Sequence, residues 1–298
     1  MARQLRVGEM LVALEGLALY RTLFSGTDDE VAERLDGMRS VLAALAHTPG
    51  DDTGEPPIAQ SAVTVHERSV VDGYAEWSAT YDDLVNPLIE FEEATLTPIL
   101  DALVPGRALD ACCGSGRVLA QLLSRGHDAT GIDGSPAMLA LAASKVGSDR
   151  VAFGDIADPT VWPALGTGRF DTVTCCLALT HYASLVEPLR GIAATARTGA
   201  TVVLTDIHPF CTLLDAQGFY VAGEGRTGFV RNHVHTHADY LAAFRATGCV
   251  VRDCVEPKLS PGTGAFLGLV AQLLPRTAAV AYTGVPFVLV WVLERVGP

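Results

Sequence analysis

Residues 108 to 117 read Ala-Leu-Asp-Ala-Cys-Cys-Gly-Ser-Gly-Arg, an apolar strand end that runs through Asp110 into a glycine turn and then an amphipathic helix. Gly114 and Gly116 lack a Cβ, so the backbone can turn sharply and come close to a ligand that a larger side chain would hold off. Nineteen residues beyond Gly114, the segment Gly131-Ile132-Asp133 ends a second short apolar run in an acid. In a parallel sheet, a carboxylate placed there accepts hydrogen bonds from both hydroxyls of a ribose. The spacing predicts a site for a nucleoside-bearing cofactor.

Short apolar strands alternating with helices extend in both directions from this turn, which predicts an α/β, doubly wound, mostly parallel sheet. Strands are expected near residues 107–111, 128–132, 151–154, 170–178, 200–206, 249–255 and 286–295. Gly126 stops the helix at 117–125, Ser135-Pro136 starts another, and Thr236 opens a third over 237–247. Upstream, Val31, Leu35, Met38, Leu42 and Leu45 recur at helical steps behind Thr27. Residues 7–24 offer a matching stripe of Val7, Met10, Leu11, Leu14 and Leu17, so a helical pair is expected first. His47 to Ile58 reads as an exposed linker. The expected division is a helical cap with linker over 1–65 and a cofactor-binding domain over 66–298.

The chain has 298 residues, 49% of them apolar, and a mean hydropathy of +0.29, enough for a sizeable core. A net charge of -13 with only Lys145 and Lys258 as lysines argues against nucleic acid as a partner, since phosphate binding needs clustered basic groups. A small uncharged or cationic substrate fits better. Seven cysteines, Cys112, Cys113, Cys175, Cys176, Cys211, Cys249 and Cys254, form neither a disulfide framework nor a zinc ribbon, which suggests a cytoplasmic protein. The first residues carry charges where a signal peptide needs an apolar core. Residues 263–293 hold Arg276 as their one charge, but Pro275, Gly284 and Pro286 break the stretch. A bilayer span needs about 20 apolar residues. The expectation is therefore a buried lid helix followed by a core strand, with no membrane partner.

A nicotinamide or flavin fingerprint would place a third glycine where this chain has Leu119. The pattern instead resembles the class I S-adenosylmethionine-dependent methyltransferases, small-molecule branch. In that family an acid at the end of the first strand, here Asp110, lies near the cofactor's amino group. The turn at Gly114 and Gly116 accommodates the cofactor, and Asp133 takes the ribose. Gly154-Asp155-Ile156 looks like the third-strand end, so Asp155 would receive the adenine amino group and Ile156 would pack on the ring. Phe170-Asp171-Thr172-Val173 looks like the fourth strand, with Leu177 at its end as a further cofactor neighbour, and Thr198-Gly199-Ala200 resembles the turn into the fifth. The resemblance covers roughly residues 66–298. It implies a seven-stranded sheet whose last strand is antiparallel, S-adenosylmethionine as cofactor and S-adenosylhomocysteine as product. Cys112 departs from it, because many members have glycine there.

Tyr74, Trp77 and Tyr81 share one side of a helix, within a segment similar to one that such enzymes fold over the cofactor; Tyr81 is the expected cofactor neighbour. Residues 209–236 form an insertion expected to be the lid, with His208 at its entrance and His233-Val-His235-Thr-His237 at its exit. Three readings of these histidines stand side by side: a general base and its partner, ligands of a divalent metal, or a helix cap with lid contacts. No cysteine or carboxylate sits at a tight zinc spacing, so no metal is assigned. His208, His233 and His181 are the candidate catalytic residues; Glu92 and Glu93 read as solvated. The functional expectation is direct methyl transfer to a small organic molecule, in the manner of enzymes that tailor secondary metabolites. Two rivals are a same-fold enzyme that uses the sulfonium otherwise, for example in cyclisation, and a cofactor-binding partner protein without catalysis. The apolar N-terminal helices also admit a homodimer.

Overall fold

The computed structural model describes residues 2–46, 58–83, 86–260 and 269–297, so all but the last residue of the expected linker lies outside it. In chain order come β1 (Ala2–Arg6), α1 (Val7–Thr22), α2 (Asp28–Ala46), β2 (Ala62–Arg68), α3 (Val70–Trp77) and α4 (Pro87–Asp101). The glycine turn lies between β3 (Arg107–Ala111) and α5 (Arg117–Ser124). Then follow β4 (Asp128–Asp133), α6 (Pro136–Val146), β5 (Val151–Phe153), α7 (Trp162–Leu165), β6 (Phe170–Cys176), α8 (Val186–Thr195) and β7 (Ala196–Ile207). The insertion holds α9 (Pro209–Leu213), β8 (Gly218–Val221) and β9 (Thr227–Val230). Last come α10 (His237–Ala246), β10 (Cys249–Val255), α11 (Leu269–Leu273), α12 (Pro275–Tyr282) and β11 (Val288–Arg295).

The chain divides into two compact units, one of Met1–His66 with Lys258–Pro286 and one of Glu67–Pro257 with Phe287–Pro298. In the first, β1 runs antiparallel to β2, and Leu14 and Ala18 of α1 pack with Ala271, Ala278 and Ala281 of α11 and α12. Thr27 and Glu30 exchange hydrogen bonds at the start of α2, closing a capping box. The buried face of α2 differs from the expected stripe. Leu35 and Leu42 are exposed, whereas Arg34 is buried, ion-paired to Glu15 at 3.3 Å and bonded to the Thr277 hydroxyl at 2.5 Å. Two charges that satisfy each other rotate the helix away from its purely apolar solution. Residues 258–286 were expected with the cofactor domain, yet they complete this helical unit. Among the described residues no helix is long and apolar enough to cross a membrane.

The second unit is built on a seven-stranded sheet of order β10-β11-β7-β6-β3-β4-β5. β3, β4, β5, β6 and β7 are mutually parallel, and β11 is antiparallel to both β7 and β10. Successive residues of a strand face opposite sides of a sheet. Leu109, Ile132, Val173, Val202 and Leu204 accordingly enter one core cluster, and Ala108, Ala129 and Val203 enter the other. Covered on both faces, the strands read as continuous apolar runs. The chain reverses winding at β3, where neighbouring β4 and β6 diverge into separate crossovers. That switch point opens a crevice at the carboxyl ends of the strands, where ligands of open α/β sheets bind.

Candidate active site

A cavity of about 540 Å³ opens at that crevice, within the size of small-molecule sites. Three strand ends contribute carboxylates to its wall: Asp110 from β3, Asp133 from β4 and Asp155 just past β5. Asp110 is 2% exposed and accepts the Thr174 hydroxyl at 2.7 Å, from the residue it faces across β3 and β6. Burial raises this carboxyl to about 7, against the pull of Thr174 and Arg117. Asp133 accepts the Gly114 N–H through Oδ2 and the Ser135 N–H through Oδ1, both at 2.8 Å, which ties the second strand end to the glycine turn. Burial raises it too, with the two backbone N–H groups opposing. Asp155 takes the Ala157 N–H at 2.8 Å and the Tyr182 hydroxyl at 2.7 Å on one oxygen, Oδ1.

The two glycines of the turn do different work. Gly114 lies at φ +53, and a Cβ there would meet only the end of Met138, at 3.8 Å, so the space beside it is open to a ligand. Gly116 lies at φ +83, and a Cβ there would meet the Cα and Cβ of Ala142 at 3.0 Å; its smallness serves the packing of α5 on α6, and it does not line the cavity. Cys112 and Leu177 are non-glycine residues at φ 55 and 53, at the ends of β3 and β6, and both line the cavity. Such backbone costs on the order of 1–3 kcal/mol and gathers at ligand sites.

Of the expected cofactor neighbours, Tyr81, Asp110, Gly114, Asp133, Asp155 and Leu177 line the cavity. Ile156 does not: it is 1% exposed in the core, and its carbonyl accepts the Trp162 indole N–H at 2.9 Å. Phe153, on the wall and 68% exposed, offers the free ring face instead. Sequence reading passed over Phe153 because a strand-end aromatic looks like core. Glu92 was read as solvated but is fully buried, bonded to the Thr205 hydroxyl and the Arg117 guanidinium. Arg117 also holds Glu93 at 3.2 Å, so the arginine on the cavity wall is neutralised by two carboxylates. Its signal in the sequence was only the absence of another partner for a buried acid.

Tyr74, Trp77 and Tyr81 do cluster: ring centroids lie 5.5 Å apart for Tyr74 and Trp77 and 5.1 Å for Trp77 and Tyr81. Tyr220 of β8 stacks on Trp77 at 5.3 Å, joining the insertion to this aromatic wall. His181 lines the cavity and contacts the Tyr74 hydroxyl at 2.8 Å through Nε2.

The other candidate histidines lie elsewhere. Nδ1 of His208 accepts the Phe210 N–H at 3.0 Å, so its proton sits on Nε2, which donates to Glu256 Oε1 at 2.8 Å. Nε2 of His237 meets the same oxygen at 2.8 Å. The two ends of the insertion are thereby fastened to one carboxylate. These three side chains could gather round a cation, their ligand atoms lying within 4.8 Å of one another, but the His208 tautomer leaves no lone pair on the atom that would bind it. The His233 backbone N–H donates to the Thr180 carbonyl at 2.6 Å, and His235, buried, donates through Nε2 to the Tyr182 carbonyl at 2.8 Å. Neither ring reaches the cavity wall.

A family model described as a methyltransferase domain matches residues 108–209, from β3 through the start of α9. That stretch is similar to a methyltransferase domain. The chain is 37% identical to the uncharacterized methyltransferase YrrT of Bacillus subtilis over 95 residues, 30% of this chain and 45% of that one. It is 33% identical to the magnesium-protoporphyrin O-methyltransferase of Rhodobacter capsulatus over 92 residues, 29% of this chain and 38% of that one. The chain spans about half the length of the curated relatives it matches. The fold match is broader: a solved complex of DhpI with S-adenosylhomocysteine aligns with a TM-score of 0.52 at 18% identity, over 77% of this chain and 97% of that one. The sheet-bearing unit thus has the class I methyltransferase fold, with the seven-stranded sheet and antiparallel last strand that the sequence resemblance implies.

Proposed function

We propose that this protein binds S-adenosylmethionine and directs methyl transfer to a small, uncharged acceptor. One observation carries the reading: three carboxylates ring a glycine turn inside the cavity, and the arginine beside them is already neutralised by Glu92 and Glu93. Such a site is short of positive charge. A buried carboxyl raised to about 7, as Asp110 is, marks an uncompensated place for a cation. S-adenosylmethionine, when bound, brings an ammonium and a methyl carbon on a positively charged sulfur.

The chain's own residues then have separable tasks. Asp133 is fixed by Gly114 and Ser135 and keeps lone pairs for a diol. Asp155 retains Oδ2 for an exocyclic amine, and the exposed Phe153 ring can cover a flat base. Tyr74 and Tyr81 line the cavity, backed by Trp77 and Tyr220, an aromatic wall that can keep water from the reacting carbon. Alignment of nucleophile and methyl carbon in such a site contributes up to about 7–11 kcal/mol. The acceptor-side walls Val70, Val71 and Ala178 carry no charge, which favours a neutral acceptor.

Calorimetry with S-adenosylmethionine and S-adenosylhomocysteine tests the binding step, and mass spectrometry of the spent nucleoside tests the chemistry. We expect micromolar binding of both and release of S-adenosylhomocysteine. A protein that ignores both ligands would overturn the reading, and release of methylthioadenosine would replace methyl transfer with cyclisation of the cofactor.

A further inference from the structure

We propose that Tyr74 and His181 form a proton relay that ends on the acceptor, making Tyr74 the residue that touches the methylated group and fixing the acceptor as a phenol- or enol-type hydroxyl compound. The proposal rests on the methyl-transfer reading above and extends it to the substrate class.

The relay follows from donor and acceptor chemistry. Nδ1 of His181 lies 3.0 Å from the Arg231 carbonyl oxygen, which can only accept, so Nδ1 carries the proton. In a neutral ring Nε2 then holds a lone pair, and the Tyr74 hydroxyl 2.8 Å away donates to it. Burial keeps His181 below its usual range and therefore neutral at pH 7. The carbonyl that orients the ring is itself held: Arg231 pairs with Glu67 at 2.6 Å, and the next two backbone N–H groups, of Asn232 and His233, donate to the Gln217 side chain and the Thr180 carbonyl. Base, hydroxyl and orienting group thus stand in line, the arrangement by which an activated nucleophile is recognised. Here the hydroxyl on the protein passes the proton rather than attacking.

With a hydroxyl acceptor placed against Tyr74, its proton moves to the Tyr74 oxygen while the Tyr74 proton moves to His181 Nε2, leaving an imidazolium. The acceptor oxygen's lone pair forms the new O–C bond to the methyl group. The C–S bond breaks, its electron pair remaining on sulfur as a thioether, and the imidazolium later gives its proton to water. Tyr74 ends the step protonated as it began, so the net transfer runs from the acceptor to His181 and is less uphill the more acidic the acceptor hydroxyl, which singles out phenols and enols over aliphatic alcohols. The titratable groups that face this pair are Tyr81, Asp133, Cys112, Asp206 and His233, and none is bonded to either ring.

Two experiments with the full chain decide the matter. Nitrogen-15 NMR of labelled protein should show His181 as the Nδ1–H tautomer, with Nε2 shifted as a hydrogen-bond acceptor, and Tyr74→Phe should abolish that shift. An Nε2–H tautomer overturns the relay whatever the substrate. With a panel of mono- and dihydroxylated aromatic compounds and S-adenosylmethionine, Tyr74→Phe should lower kcat by about 10² to 10⁴. Phenylalanine keeps the ring on Trp77, so S-adenosylhomocysteine affinity should stay within about twofold. His181→Gln should flatten the acid limb of the pH–rate profile. Full turnover by Tyr74→Phe, or methylation of amines in preference to phenols, overturns the proposal while leaving methyl transfer intact; loss of cofactor binding by the unaltered protein would instead overturn methyl transfer.

Discussion

The site should hold S-adenosylmethionine and S-adenosylhomocysteine more tightly as pH rises, and Asp110 sets the size of the effect. Burial places this carboxyl at about 7, while Thr174, Arg117 and the Leu119 N–H lower it and Asp133 raises it. A cationic ligand needs it ionised, so binding below that value must first expel a proton. With a midpoint near 7, the ionised fraction falls from about 0.91 at pH 8 to about 0.09 at pH 6. Affinity should therefore drop about tenfold over that interval, about 1.4 kcal/mol. Calorimetry with S-adenosylhomocysteine in buffers of differing ionisation enthalpy measures this directly, and at pH 7 about half a proton should leave per ligand bound. Asp110→Asn keeps the shape and removes the titration. It should bind roughly ten- to a hundredfold more weakly at pH 8, through loss of a charge-assisted hydrogen bond, with a flat profile. An unaltered protein whose affinity is the same at pH 6 and 8, with no proton released, would refute the reasoning.

Gly114→Ala and Gly116→Ala should separate. Both meet left-handed strain of about 1–2 kcal/mol; the first adds a Cβ only in open space and should also weaken cofactor binding, whereas the second meets Ala142 at 3.0 Å and should cost more in urea unfolding. Arg34→Leu leaves Glu15, itself buried, without its cation, and should destabilise the helical unit by about 3–5 kcal/mol; the double change Glu15→Leu with Arg34→Leu should cost less. Equal losses in the single and double variants would dismiss the pair. Burial holds His208 below its free value of 6.5, so the stability of its neutral form is present above that value and lost as pH falls through the lower, folded one. Protonation of Nδ1 removes the acceptor of the Phe210 N–H, so hydrogen exchange at that amide should quicken as pH falls below the free value of 6.5, in step with loosening of residues 209–236.

The sheet was legible because its strands are buried on both faces. Phe170–Cys176 is buried along nearly its whole length, and even the largely exposed edge strand Cys249–Val255 has the bounds expected at 249–255. The glycine turn was legible for the same reason, since positive φ and close approach leave few alternatives to Gly114 and Gly116. What escaped notice depended on partners far away in sequence. β1 and β2 are largely exposed and pair across 64 residues, so no local alternation marks them. The β8 and β9 hairpin is four residues a side, too short for a pattern to emerge from a glycine-rich insertion. Arg34 could not announce its burial, because Glu15 and Thr277 make it possible. The roles of the histidines were undetermined for a related reason: ring chemistry follows from which atom faces a carbonyl, an amide or a carboxylate, and residue type alone carries none of that.

The helical unit is assembled from two stretches of chain, and Arg34 and Thr277 are 243 residues apart. At about 5–20 residues per second, a ribosome needs roughly 12–50 s to deliver the second after the first. Throughout that delay α1 and α2 have no α11 or α12 to cover Leu14 and Ala18, and Arg34 and Glu15 have no Thr277 hydroxyl to share. Nascent-chain chaperones would therefore find their longest-lived target in α1 and α2, whose partners are among the last to be made.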